Sequence, residues 1–241
     1  MKKTLLSLSL FLLMTIGASA QKTYALVTAV SQYANSDMNL NYTTLDAKDF
    51  AKVMKQQGFE LILLTSQYAN NANITAKLDY IAQNAKPEDR VIFFFSGHGG
   101  PGVFCTYDDL FRYSDLVRLL TNSSAGEIFC FFDACHSGSV QASASGTYGW
   151  SEGTRISFLM SSRADEYSAE HAWVGHGYLA KAVIKGLRGK ADANRDRSIT
   201  LGELYKYVYN DVTRRTSGNG QAQHPQLIGS QSMFSSVITK W

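Results

Sequence analysis

Two short stretches of the 241-residue chain carry residue types that do chemistry, "FFFSGHGG" around His98 and "FFDACHSG" around Cys135. A thiolate is a strong nucleophile, and an imidazole titrates near neutral pH, so it can take the thiol proton and later return it to a leaving group. Cys135 and His136 are adjacent, and on an extended chain adjacent side chains point to opposite sides. The base for Cys135 therefore has to come from elsewhere, and His98 supplies it if the two apolar runs are neighbouring parallel strands. The oxyanion that develops during attack needs fixed donors, and the backbone N–H groups of Gly99 and Cys135 are the candidates. Gly97, Gly99 and Gly138 leave room for a substrate backbone beside the thiol. The bland alternative is a small buried cysteine at a strand end. Both stretches together, each closing an aromatic-rich run, favour the chemical reading. Cys130 reads as core, and Cys105 as loop or core packing.

The elements that would position these residues are legible as alternation. Runs at 23–30, 60–66, 91–97, 127–134 and 155–162 are near-continuously apolar and rich in β-branched and aromatic residues, as parallel strands buried on both faces are. Amphipathic stretches at 44–57, 73–85, 112–121, 176–187 and 201–214 lie between and after them. Strand and helix taking turns predicts one mostly parallel sheet between two layers of helices, with 232–238 as a sixth, edge strand. In such sheets chemistry gathers at the carboxyl ends of the strands, where His98 and Cys135 fall.

Composition bounds the rest. At 45% hydrophobic and 12% aromatic residues the chain buries a full core. Its formal charge of +3 includes Lys2 and Lys3, and no basic stripe suggests nucleic acid. Residues 1–20 have a short basic start, an apolar stretch from Leu5 to Ile16 and the small triplet Ala18, Ser19, Ala20, the build of a secretory signal peptide. The expectation is a mature domain over 21–241, secreted or periplasmic, with no membrane segment after signal removal. Three cysteines without paired spacing do not make a disulfide framework. His171, His176 and His224 have no partner at metal spacing and read as surface or core residues. The stretch 139–154 is rich in Ser, Ala and Gly and reads as a loop.

"VIFFFSGHGG" followed by "IFCFFDACHSG" resembles the histidine and cysteine signatures of the caspase-like cysteine peptidases, closest to the metacaspase and bacterial orthocaspase branch. "YALVTAVSQYA", "LNYTTLDAKDFAKVM", "SSRADEYSAE", "GLRGKADANRDRSITLGELYKYV" and "QHPQL" extend the likeness over nearly all of the mature chain. The resemblance implies a three-layer α/β/α sandwich on a mostly parallel six-stranded sheet. It also implies a cysteine endopeptidase acting on peptides or proteins through a thioester acyl-enzyme, with Cys135 as nucleophile and His98 as base and acid.

Asp133 lies two residues before Cys135 and so shares its side of a strand; a carboxylate there favours a basic residue before the cut. In metacaspases the positions of Asp133, Ser96 and Asp46 form an acidic pocket. The further pocket position, often cysteine, is Thr43 here. Cleavage after Arg, and secondarily Lys, follows, because Arg pairs bidentately with carboxylates. The alternative for Asp46 is a first-turn helix carboxylate favoured by the dipole. No Lys or Arg lies within 139–154, which leaves Arg155 and Arg163 as the nearby points for self-cleavage and makes a single-chain active form the expectation; a monomer is expected separately, with no residue pattern behind it.

Asp192, Asn194, Asp196, Ser198, Thr200 and Glu203 fall at the liganding positions of an EF-hand calcium loop, but Arg197 stands where glycine is required. The competing reading, which the residues favour, is a polar turn whose Thr200 caps the helix starting at Leu201, with Glu203 completing a capping box. No cofactor is expected, with calcium at this loop the exception to test. Two other functions stay open: an inactive caspase-like domain that binds peptides or partners, and a thiol acyltransferase or peptide ligase on the same scaffold.

Overall fold

The computed structural model describes residues 20–135, 137–139, 155–163, 170–171, 176–218 and 222–241. Residues 1–19 of the expected signal peptide, His136, and most of the 139–154 loop and of "SSRADEYSAE" lie outside the described residues. A six-stranded sheet forms the centre. Its strands in chain order are β1 (Thr23–Ala29), β2 (Glu60–Thr65), β3 (Arg90–Ser96), β7 (Glu127–Asp133), β8 (Ile156–Met160) and β12 (Gln226–Gly229). They lie in the spatial order β12, β8, β7, β3, β1, β2, and all pairs are parallel except β12 with β8.

Alternation of side chains along the strands divides the core in two. Phe93, Phe95, Phe132 and Phe158 face one side, with Phe104, Phe111 and Tyr113 stacked on them. Helices α2 (Asn71–Asn84) and α3 (Tyr113–Thr121) cover that side through Ile74, Leu78, Leu116 and Leu120. Val27, Phe94 and Phe131 face the other, under α1 (Thr43–Gln56), α4 (Tyr178–Lys185) and α5 (Leu201–Thr216). The three layers expected from the alternation are therefore present, and each of the five helices falls within two residues of its predicted ends.

The sixth strand is a correction. It is Gln226–Gly229, not 232–238. An antiparallel edge strand has one neighbour and half-buried side chains, so four residues suffice, and "QLIG" holds only two apolar residues, too short a run to recognise. The predicted stretch instead folds as a short 3₁₀ turn, Gln231–Ser235, followed by β13 (Val237–Lys240). That strand pairs with β11 (Ser198–Thr200) in a separate two-stranded sheet. Two further small sheets also escaped the alternation: β4 (Gly99–Gly100), β5 (Val103–Cys105) and β6 (Leu110–Arg112), directly after His98, and β9 (Glu170–His171) paired with β10 (His176–Gly177). Among the described residues no helix is long and apolar enough to cross a membrane.

Candidate active site

Strand order reverses between β1 and β3, since β2 lies on one side of β1 and β3 on the other. This is the crevice where open α/β sheets bind ligands. The register of β3 with β7 ends on Ser96 opposite Asp133, and the Gly97 N–H donates to the Asp133 carbonyl at 3.2 Å. His98 and Cys135 each stand two residues beyond that pair, so the parallel register brings both motifs to one level. The loops then touch. A Cβ on Gly99 would sit 2.5 Å from the Cys135 carbonyl oxygen and 3.0 Å from the Ala134 Cβ.

That contact corrects the reason for the glycines. A Cβ on Gly97 would likewise meet the Phe95 ring at 2.7 Å and the Tyr33 hydroxyl at 2.8 Å. Gly97 and Gly99 serve the close packing of the protein's own loops, with no substrate required to explain them.

His98 is held from three directions. Its Nε2 lies 2.8 Å from the Met38 carbonyl oxygen, its backbone N–H donates to the Tyr33 hydroxyl at 2.8 Å, and its carbonyl accepts the Cys105 N–H at 2.9 Å. A carbonyl only accepts, so Nε2 carries the proton and Nδ1 is left as the basic nitrogen of the neutral ring. Tyr33 also packs its ring on the imidazole, with centroids 5.2 Å apart. Neither Met38 nor Tyr33 was singled out from the sequence: a backbone carbonyl has no residue-type signature, and "SQYA" reads as loop.

Cys135 is half-buried at the end of β7, Cys130 is fully buried within it, and Cys105 is half-buried in β5. Burial pushes the Cys130 thiol well up from its ordinary value, which makes it inert. The Cys105 thiol is pushed up by burial first and by the nearby Cys135 charge second, so these two sulfurs share one neighbourhood.

The acidic residues gather as expected, with one addition. Asp46 is 0% exposed and Asp133 5%. Ser96 donates to Asp46 Oδ2 at 3.0 Å, the Gly177 N–H donates to the same oxygen at 3.2 Å, and His176 Nδ1 meets Oδ1 at 2.7 Å. The Ala180 N–H, in the first turn of α4, donates to Asp133 Oδ2 at 2.9 Å, and a Cβ on Gly177 would collide with that carboxylate. Asp46 does stand in the first turn of α1, but its oxygens are satisfied by residues distant in sequence, not by its own helix. Burial pushes its carboxyl up, while the bonds from His176, Gly177 and Ser96 pull the other way.

His176, read from the sequence as a surface or core residue, is instead an element of this site: its side chain is 16% exposed and its Nε2 lies 3.6 Å from Asp49. Nothing in its spacing signals this, since it is 130 residues from Asp46. Thr43 is the departure in the other direction. Its buried hydroxyl donates to the Val30 carbonyl at 2.8 Å, tying α1 to the end of β1.

The Asp192–Glu203 loop satisfies itself. The backbone N–H groups of Asp196, Arg197 and Ser198 donate to Asp192, Asn194 and Asp196 side chains at 2.7 to 3.2 Å. Arg197 has a positive φ of 64°, so it adopts the backbone conformation for which glycine is required at that position of a calcium loop. Thr200 accepts the Glu203 N–H and Glu203 accepts the Thr200 N–H, which is the capping box. Among the described residues no group of three or more His, Cys, Asp or Glu is placed to hold a metal ion.

Comparison with known proteins decides the family. The model of the caspase domain, a peptidase family, matches residues 22–234. The chain belongs to the caspase-domain family. Its relatives include metacaspase-1 of Mycosarcoma maydis, 24% identical over 39% of this chain and 30% of that protein, and legumain of Canavalia ensiformis, 39% identical over 24% of this chain and 13% of that protein. The matches thus span less than a third of these relatives' length. Two crystal structures share the fold at a TM-score of 0.66: a protein of Geobacter sulfurreducens, 18% identical over 89% of this chain and 97% of its own, and caspase-1 of Spodoptera frugiperda, 14% identical over 91% and 92%. The caspase-like sandwich near the metacaspases is therefore established for this chain.

Proposed function

We propose that this protein is a secreted cysteine endopeptidase that cleaves after Arg, and less well after Lys, using Cys135 and His98. The observation that carries the reading is the fixing of His98. Its Nε2–H is committed to the Met38 carbonyl, so Nδ1 is the nitrogen available to a thiol, and the β3–β7 register brings Cys135 to the same level.

The steps follow from that tautomer. Nδ1 takes the Cys135 proton, and the sulfur adds to the scissile carbonyl carbon. The oxyanion is met by the backbone N–H groups of Gly99 and Cys135. The imidazolium, stabilised by its hydrogen bond to the Met38 carbonyl, returns the proton to the leaving amine as the C–N bond breaks and a thioester remains. Water then attacks the thioester with Nδ1 as base, releasing the acid and the thiol. The reaction needs no cofactor as written.

Specificity rests on two buried carboxylates. A basic side chain entering beside Asp133 and Asp46 meets two buried carboxyl groups, and an Arg–carboxylate pair in such a setting is worth more than in water. His176 caps Asp46 in the free protein, so entry of Arg has to displace an internal hydrogen-bond partner of that carboxyl group. Secretion is supported by the composition of residues 1–20 alone.

The test is a fluorogenic panel with Arg, Lys or Asp before the reporter, with and without calcium and with an added amine. Cys135→Ala is expected to lower kcat at least about 1,000-fold. Preference for Asp refutes the acidic pocket, unchanged turnover in Cys135→Ala removes the thiol from the mechanism, and aminolysis in place of hydrolysis reassigns the protein to acyl transfer. Alkylation at neutral pH adds a check: Cys135 is expected to react ahead of Cys105 and Cys130, whose thiols burial holds up.

A further inference from the structure

A cavity of about 250 Å³ lies behind the residues that hold His98, on the face of the sheet opposite the acidic pocket. All three groups that hold His98 belong to residues lining it: Met38, Tyr33 and Cys105. Tyr107 and Leu110 complete the apolar part of the wall. Tyr33, Met38, Cys105 and Tyr107 pack on the aromatic core under α2 and α3, so this wall is anchored in the fold. At the rim, the Asp108 carboxylate accepts the Asn71 N–H and the Thr106 hydroxyl, and Asp109 accepts the Leu110 N–H, so these charges are engaged locally.

Two physical arguments identify what enters. In the proposed reaction the imidazole delivers its proton to the leaving nitrogen, so the residue that begins the leaving fragment lies against His98 and its holders. In an extended peptide, successive side chains point to opposite faces. With the residue before the cut in the acidic pocket on the α1 and α4 side, the next side chain is directed to the α2 and α3 side, where this cavity lies.

We propose that the cavity is the subsite for the residue immediately after the cleaved bond, and that it selects an apolar side chain of leucine, methionine or phenylalanine size. The inference rests on the peptidase reading and names the second half of its substrate. The substrate class is thus a basic residue followed by a large apolar one.

The experiment uses internally quenched peptides with Arg before the bond and Leu, Met, Phe, Gly, Lys or Asp after it, measured with the full mature chain and with Cys135→Ala. Leu, Met and Phe are expected to give kcat/KM about tenfold or more above Gly, the size of effect a filled apolar pocket confers. Leu110→Glu, at a position 55% exposed, is expected to bring that ratio below about threefold. Equal rates within about twofold across the six peptides, or a preference for Gly, Lys or Asp, overturn the subsite and leave the peptidase standing. Retention of the apolar preference in Leu110→Glu overturns its assignment to this cavity. Absence of Cys135-dependent cleavage of any peptide overturns both readings.

Discussion

Two clusters of acidic residues on this molecule use the same chemistry in opposite ways. At the acidic pocket, Asp46 is bound by Ser96, His176 and Gly177, which are 50, 130 and 131 residues away, and Asp133 by Ala180, 47 residues away. In the Asp192–Glu203 loop every carboxylate bond described above spans five residues or fewer. The first cluster is a product of the fold, which removes its charges from water and repays part of that cost with donors from three elements. The second is a product of the local chain, remains solvated and would form its turn in a shorter segment. Buried charges brought together by tertiary structure are where pKa values shift and ligands bind. Solvated ones that bond their own backbone shape a turn.

The comparison is broken most sharply at Asp46. Asp46→Ala leaves the Ser96 hydroxyl, the Gly177 N–H and His176 without their acceptor, and it is expected to cost about 3–5 kcal/mol in chemical denaturation and to abolish turnover of Arg peptides. A loss below about 1 kcal/mol would mean the network is dispensable.

Next comes pH. Burial raises the Asp46 carboxyl above its ordinary value of 3.8. A group whose pKa is raised on folding contributes stability that is full below the unfolded value and is lost as pH rises through the folded one. Acidification from neutral pH is therefore expected to stabilise the wild type relative to Asp46→Asn, starting above the usual carboxylate range. Over the same range KM for Arg peptides rises as the pocket loses its charge. A KM profile that is flat until 3.8 contradicts the shift.

His176→Ala removes the capping imidazole without removing a carboxylate. It is expected to lower KM for Arg several-fold, because entry no longer displaces an internal partner. Unchanged or raised KM would make His176 a binding element instead.

The smallest effects belong to the loop. Thr200→Ala is expected to cost about 1 kcal/mol, the worth of a helix cap, and Asp192→Ala about 1 kcal/mol or less. Calorimetric scans read both, and repeating them with calcium sharpens the contrast. A calcium-dependent rise in Tm that Asp192→Ala abolishes would convert the loop from a turn to an ion site.

Strands β1, β3, β7 and β8 were legible because burial on both faces demands uninterrupted apolar runs, and "VIFFFSG" or "EIFCFFDA" could be little else; β2, at the sheet edge and partly buried, was legible from its own apolar run "LILL". Cys135, His98, Asp133 and Ser96 were legible for the same reason, since they terminate those runs and parallel pairing carries their ends to one edge. The capping box was legible because its partners are three residues apart. The edge strand Gln226–Gly229 was not, because it is four residues long and only Leu227 and Ile228 in it are apolar. The sheet β4–β6 was not, because two- and three-residue strands are too short to show a period.

Composition and periodicity alone thus determined the layered fold, the level at which thiol and imidazole stand, and the acid character of the neighbouring strand end. Each of these depends on short-range rules of side-chain alternation and burial. Tertiary structure alone decided which nitrogen of His98 is basic, that His176 covers Asp46, and that an apolar cavity opens on the far side of the imidazole. Those depend on a backbone carbonyl, a loop hydroxyl and residues more than a hundred positions apart, none of which leaves a mark in the order of residue types.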